Sequence, residues 1–407
     1  MALPVLRNTV GARNPFAFAE AKLGKKIDWQ NTSADEKRKI LERAFGAPYA
    51  EIFNPKNTRP GFLQPVKSGS GDATQCNSAV ITGLIANWGP NPYGSDYSDS
   101  ANGGFDDPVQ GALSDCFFVA ALSSIAYATM TKTRFFLDLS GPSFDIYFWD
   151  NFSTDPVTGI TKPTVSRKVT VTNNHFPLQS NGNLVFGRSN TPAEIWPAVY
   201  EKAFAEWKSG GTTNEPDYAA LCQGNPITAL ANITGYKFAT GGTATPSVYE
   251  TKTYATSPAA IYDKIAIACN MALPAYPNDR TTRWPVVAYT YDSSTLGLSN
   301  ATIVRNHSYS VLGVQKSGTN RYIILRNPWG QVPPAVYVDP ETLDANRCVL
   351  DASGAPVICY GDPNLGPDVL SANTWMGASL SNVNDGIFGL HTTAFQKYFQ
   401  GFGWVYT

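Results

Sequence analysis

The stretch Gln110-Gly-Ala-Leu-Ser-Asp-Cys116-Phe-Phe-Val-Ala-Ala-Leu-Ser-Ser-Ile-Ala126 decides how the rest of the chain is read. A loop of small and polar residues, bounded upstream by Asp106-Asp107-Pro108, passes at Cys116 into a run of ten residues without charge. The pattern predicts a buried helix with a thiol in its first turn. Backbone N–H groups without intrahelical partners, and the positive end of the helix dipole, favour thiolate over thiol at that position. That suits a nucleophile, but a buried Cys is also a common small apolar packing residue, and this stretch alone leaves both readings open.

Two further segments bear on the choice. Trp284-Pro-Val-Val-Ala-Tyr-Thr290, Ser308-Tyr-Ser-Val-Leu-Gly-Val314 and Tyr322-Ile-Ile-Leu-Arg326 read as core strands, the last two joined by Gln315-Lys-Ser-Gly-Thr-Asn320 as a hairpin. His307 stands immediately before the first strand of that hairpin and Asn327 immediately after the second. Neighbouring strand ends can bring the two side chains together. A Cys at a helix start, with a His and an Asn at strand ends, is the arrangement of a cysteine protease. In that arrangement His307 takes the thiol proton and returns it to the leaving amine, Asn327 orients the imidazole, and Cys116 attacks the peptide carbonyl to form a thioester. Gln110 is placed to donate to the oxyanion together with the Cys116 backbone N–H.

On these residues the chain resembles the protease core of the calpain family. The family's Gln-Gly-x-Leu-Gly-Asp-Cys-Trp start corresponds to Gln110 through Phe117, its His-Ala/Ser-Tyr-Ser-Val to His307 through Val311, and its Leu-Arg-Asn-Pro-Trp-Gly to Leu325 through Gly330. Its Phe-Trp-x-x-Leu-Leu-Glu-Lys-Ala-Tyr-Ala helix is similar to Ile195 through Ala205, and its closing pattern to Asp385-Gly-Ile-Phe388, Phe395 and Tyr398-Phe399. The resemblance implies an α+β, papain-like core of two subdomains, a helical one bearing Cys and a β-rich one bearing His and Asn, with the active site in the cleft between them. It also implies that Trp329 packs beside His307. The chain departs from the pattern at Ser114 and Phe117, which leave thiol, base and amide in place. Asn173-Asn-His-Phe-Pro177 replaces the family's Asp-Asp-x-Leu-Pro, so His175 reads as a surface or packing residue.

Calcium assembles the active site in the animal members. By resemblance, Asp107 and Glu194 occupy positions of that family's first calcium site, so they are the candidate Ca²⁺ ligands here. Gln331-Val-Pro-Pro-Ala335 is poor in acids where a second site is expected, no EF-hand loop occurs, and no other cofactor is required for the chemistry. The expected function is a calcium-dependent-type cysteine endopeptidase acting on protein or peptide substrates. The alternatives are a catalytically silent relative that binds proteins through the same groove, or another acyl-transfer enzyme such as a transglutaminase. The latter is disfavoured because that class normally orients its His with Asp.

Composition narrows the partners. With 31 basic and 32 acidic residues the net charge is −1, so no basic field points to nucleic acid. No run of about 18 apolar residues offers a membrane span, and the N-terminus lacks the apolar core of a secretory signal. The six cysteines are spread without a C-x-x-C pair, which argues against a zinc knuckle or dense disulfide framework. A cytoplasmic, reduced protein is the default expectation, although the low charged fraction also occurs in secreted proteins.

At 407 residues the chain has room for two or three units. Residues 1–75, with a capping box at Ser33-Ala-Asp-Glu36, read as an N-terminal extension; 76–240 as the Cys-bearing subdomain; and 241–407 as the β-rich subdomain bearing His and Asn. A second helix is expected from the capping box Thr191-Pro-Ala-Glu194, or from Pro197, since Pro prefers the first turn.

Overall fold

The computed structural model describes most of residues 107–128, 143–172, 195–251, 257–291, 303–330 and 386–407, with short pieces elsewhere. The 33–36 capping box, His175, the 191–194 capping box with Glu194, and Gln331–Ala335 lie outside the described residues.

Strands β1 (Ile85–Ala86) and β2 (Pro108–Val109) precede helix α1 (Cys116–Ala128). Next come β3 (Phe136–Asp138), β4 (Ser143–Thr154), β5 (Ile160–Thr172), β6 (Phe176–Pro177) and β7 (Arg188–Ser189). Helix α2 (Trp196–Ser209), a 3-10 turn (Tyr218–Leu221) and helix α3 (Pro226–Thr234) lead through β8 (Phe238–Ala239) to β9 (Val248–Glu250). Helix α4 (Pro258–Ile267) is followed by the long strands β10 (Asp279–Thr290), β11 (Ser308–Ser317) and β12 (Asn320–Arg326). Short pairs β13 (Cys348–Leu350) with β14 (Pro356–Cys359), and β15 (Thr374–Trp375) with β16 (Ala378–Ser379), come before β17 (Ile387–His391), α5 (Thr392–Tyr398) and β18 (Phe399–Trp404).

Two antiparallel sheets organise these elements. One has four strands in the order β3-β4-β5-β8, and the other six in the order β17-β12-β11-β10-β18-β9. Between β8 and β9 the chain passes from the first sheet to the second. The β11–β12 hairpin is tighter than its sequence suggests: Ser317 pairs with Asn320, so only Gly318 and Thr319 turn. Gly318 has φ +59, a left-handed conformation that costs glycine nothing and matches the twist of the flanking strands.

Helix α2 does not begin at Thr191-Pro-Ala-Glu194 but at Trp196, with Ile195 at the N-cap and Pro197 in the first turn. The missing N–H of Pro197 is harmless only there, and that constraint overrides the upstream cap signal. Gly210 in the left-handed conformation closes the helix by donating its N–H to Glu206 O.

Each sheet has its own hydrophobic core. Around α1, the rings of Phe118, Phe148, Phe204 and Trp207 pack with Trp196, Leu230 and Ile146. Phe204 stacks on Phe118 at 4.6 Å between centroids and meets Phe148 at 5.1 Å and Trp207 at 5.2 Å. The core around α1 is therefore part helix and part sheet. The second core packs Tyr309, Val311 and Leu325 with Phe388, Phe395, Phe399 and Phe402. Val287 of β10 and Val405 reach across into the first core, so the C-terminal segment ties the two together. Cys222 is disulfide-bonded, whereas Cys116 and Cys269 carry free thiols. No helix among the described residues is long and apolar enough to cross a membrane.

Phe204 is fully buried at the centre of these rings. Phe204→Ala should destabilise the fold by about 3–5 kcal/mol in denaturant unfolding, from lost transfer energy and the cavity left behind. A loss below about 1 kcal/mol would mean that this ring cluster does not hold the seat of α1.

Candidate active site

Helix α1 begins at Cys116, so the thiol does lie at a helix N-terminus. Every residue from Phe117 to Ala126 is buried, which explains the run without charge. The helix rests on β10 and β11 through polar ties that occur once per turn. Ser124 Oγ donates to Val286 O at 2.6 Å and Ser310 Oγ to Ala120 O at 2.7 Å. Arg326, fully buried at the end of β12, donates through Nη1 to Pro108 O at 2.9 Å and to Ser123 Oγ at 3.2 Å. A buried guanidinium is costly unless its donors are met, so these contacts hold β2, α1 and β12 in one arrangement.

The sheet brings His307 and Asn327 together across β11 and β12. His307 Nε2 lies 3.0 Å from Asn327 Oδ1, and that oxygen also accepts the Trp329 backbone N–H at 3.0 Å. The Trp329 contact identifies the atom as the amide oxygen, so Nε2 of a neutral imidazole carries the hydrogen and Nδ1 keeps its lone pair. Behind the ring, the His307 N–H donates to Thr290 Oγ1 at 3.0 Å and its carbonyl accepts from Thr290 N at 2.9 Å. The Trp329 ring lies 4.9 Å from the imidazole and Tyr309 meets it edge-on at 5.0 Å.

The loop before Cys116 is held equally closely. Gln110 is fully buried; its backbone N–H donates to Pro328 O at 2.8 Å and its side-chain Nε2 to Leu113 O at 2.7 Å. Gly111 allows this course, since a Cβ there would come within 2.2 Å of Phe186 O. Val109 packs on Trp329, so the loop bearing Gln110 and the turn after Asn327 touch.

Electrostatics set the protonation states. Burial pushes the His307 pKa down to about 4, against the raising effect of the Asn327 hydrogen bond. Burial pushes the Cys116 thiol up to about 11; hydrogen bonds from Ser308 and the Phe117 backbone oppose this, and the charge of nearby Asp115 adds to it. Cys116 is itself only half-buried, so surrounding atoms more than its own lack of exposure oppose the thiolate that the helix end favours. Burial thus favours the neutral imidazole at His307 and the protonated thiol at Cys116.

Asp107 is buried and its Oδ2 accepts the Trp196 indole N–H at 3.0 Å. One of its oxygens is thus engaged, and Glu194 lies outside the described residues. Ca²⁺ takes about six to eight oxygen ligands, and the described residues contain no group of three acidic or other metal-binding side chains. Asp107 is a hard oxygen donor, but the described part of the set does not make a calcium site by itself.

Sequence reading missed Ser308, Thr290 and Arg326, and it passed over Asp115 and Glu201 although both stand inside the quoted motifs. The available signal was Arg326 and Asp115, two charged residues adjoining Asn327 and Cys116 in apolar surroundings.

A family model described as calpain family cysteine protease matches residues 101–334, more than half of the chain. The chain is 27% identical over 250 residues to a thiol protease of Porphyromonas gingivalis, covering 58% of this chain and 46% of that protein. It is 28% identical over 237 residues to calpain-8 of Homo sapiens, covering 56% and 28%, and 28% identical over 309 residues to the calpain-2 catalytic subunit of Mus musculus, covering 68% and 38%. The chain spans less than half the length of each of these relatives.

Three imidazoles are present in the sequence, which makes the low value testable. In an NMR titration His307 should stay neutral down to about pH 4, identified by the resonance lost in His307→Gln. The sign follows from linkage: the unfolded chain binds this proton near pH 6.5 and the folded one near 4, so the contribution to stability is complete above about 6.5 and lost as pH falls through 4. An ordinary imidazole value would refute the dry site.

Proposed function

The chain belongs to the calpain family of cysteine proteases, and from that premise we propose that it is an endopeptidase using Cys116, His307 and Asn327. The observation that carries the reading is the 3.0 Å contact of His307 Nε2 with Asn327 Oδ1, which leaves Nδ1 as the base, next to the segment where Ser308 hydrogen-bonds the Cys116 thiol. As the sulfur attacks the peptide carbonyl, the thiol proton passes to Nδ1. The resulting imidazolium is stabilised by Asn327, and the proton leaves with the amine as the thioester forms. Water then attacks the thioester, gives its proton to Nδ1, and the thiol is restored. The Cys116 N–H at the helix start and the Gln110 amide, whose Nε2 has a second hydrogen beyond the one given to Leu113, are the oxyanion donors. Desolvation keeps the two reacting groups neutral until substrate arrives.

The same reading divides the chain into an extension (1–75), a Cys-bearing subdomain (76–240) and a β-rich subdomain (241–407), with the active site in a cleft between the last two. Support comes from the two separate cores and from the ties of Gln110 to Pro328 and Arg326 to Pro108 that join them. Protein or peptide substrates follow from the family. Calcium as an activator rests on Asp107 and Glu194: when bound, the ion would neutralise their charge and fasten the segment before Gln110 to the start of α2. The Asp107–Trp196 hydrogen bond supports that proximity, since Trp196 is two residues from Glu194.

A second reading, a silent protein-binding relative, is favoured by one observation, the Cys116 thiol pushed up to about 11. Cleavage of casein or a fluorogenic peptide, measured with and without Ca²⁺, separates the two. The protease should turn over, Cys116→Ser should lower kcat by about 10⁴-fold or more, and Gln110→Ala by about 10²–10³-fold. Calcium should raise the rate of the intact chain, and Trp329→Ala should alter that dependence. No turnover under either condition, with Cys116 unlabelled by an epoxysuccinyl inhibitor, would refute the endopeptidase.

A further inference from the structure

Asp115 stands immediately before Cys116 and has no task in the chemistry above. It is fully buried, and Glu201 of α2 is 2% exposed. The Asp115 backbone carbonyl accepts from Phe118 and Val119 N–H, as at a helix N-cap, but its side chain caps nothing. Neither carboxyl oxygen has a hydrogen-bond partner of good geometry among the described residues; burial raises its pKa more than the Asp115 backbone N–H and the Gln110 side chain, which still act on it, lower it, and Glu201 lies beside it. Glu201 is pinned in place: the Gly187 N–H donates to both of its oxygens at 2.9 and 2.8 Å. A Cβ at Gly187 would come within 3.0 Å of Glu201 Cδ, so the carboxyl fills the space against β7.

Two ionised carboxylates side by side and out of water would repel each other with little solvent to screen them. A single proton converts that repulsion into an O–H···O⁻ hydrogen bond, among the stronger bonds available to side chains. We propose that Asp115 and Glu201 hold one proton between them, and that this proton fastens the Gln110–Cys116 loop to helix α2, making both carboxyls positioning residues for the nucleophile. The positioning role rests on the protease reading; the shared proton does not.

Among the described residues, groups from several elements face the pair. Cys116 adjoins it on α1, Gln110 reaches it from the loop, and Arg188 approaches Glu201 from β7. Tyr218 of the 3-10 turn senses the charges of Glu201 and of Glu206 on α2. Arg188 favours one negative charge on the pair, and nothing among these groups offsets a second. Burial is the main cause pushing both carboxyls up, Asp115 to about 7, and the charge of Asp115 pushes Glu201 up further. The pair titrates as a unit, so the proton belongs to neither residue alone. Its folded-state values lie above the unfolded ones near 3.8 and 4.5. Its contribution to stability is therefore complete below about 4 and lost as pH rises through about 7. His307 contributes with the opposite sign below about 6.5, so the informative quantity is the difference between wild type and a variant.

Asp115→Asn and Glu201→Gln each replace the shared proton with an amide N–H that donates to the remaining carboxylate. Thermal unfolding across about pH 5–8 should show wild type losing roughly 5 °C relative to either amide variant as the pair ionises. Infrared difference spectra at about pH 6 should show a protonated-carboxyl band in wild type that both variants lack. The kcat/KM profile of an amide variant should lose the alkaline limb due to the pair, and Asp115→Ala should lower kcat about tenfold with KM within about twofold. Parallel unfolding curves, or no such band in wild type, would overturn the shared proton even if one variant fails to fold. A band and a pH slope with unchanged kcat in Asp115→Ala would overturn the positioning role. Absence of turnover in every form, wild type included, would sink the protease reading and leave the proton test standing.

Discussion

The hydrogen bond between His307 Nε2 and Asn327 Oδ1 is the contact around which the described structure is arranged. It needs two strand ends at one edge of a sheet, and the antiparallel pairing of β11 with β12 supplies them. It needs an oxygen that cannot rotate, and the Trp329 N–H holds it. It needs a backbone behind the imidazole that does not slide, and Thr290 bonds both the N–H and the carbonyl of His307. The ring is also kept dry by Trp329 and Tyr309, and that dryness lowers its pKa.

Desolvation has the larger say throughout this region. The helix dipole and the Ser308 hydrogen bonds favour a thiolate at Cys116, yet burial outweighs them. The same burial leaves two carboxyls, Asp115 and Glu201, near enough to act on each other's charge. A solvated surface would tolerate both charges, whereas an apolar one forces a proton into the pair. Charge near the proposed nucleophile is thus governed by what surrounds it more than by the helix end on which it stands.

Much of the fold could be read from local pattern. The charge-free run after Cys116, the two strands around Gln315–Asn320 and the strand of Trp284–Thr290 all appear where apolar periodicity places them, because burial is what selects apolar residues at those positions. The start of α2 was legible only through Pro197; the capping signal upstream competed with it and lost, since a proline inside a helix costs more than a cap contributes. The four-stranded sheet beside α1 was only partly visible. Its strands alternate and carry turn residues, but nothing local tells which core they cover.

By itself the sequence determined which residue types meet at the proposed site: a Cys at a helix start, a His and an Asn at strand ends, and a Gln six positions before the Cys. These follow from short-range pattern, which records backbone conformation and burial. Tertiary structure alone decided their protonation and their supports. A pKa depends on neighbours distant in sequence, so neither the depressed imidazole nor the raised thiol could be read from motifs. Arg326 reaching Pro108 across 218 positions, and Asp115 meeting Glu201 across two helices, exist only once the sheets have packed.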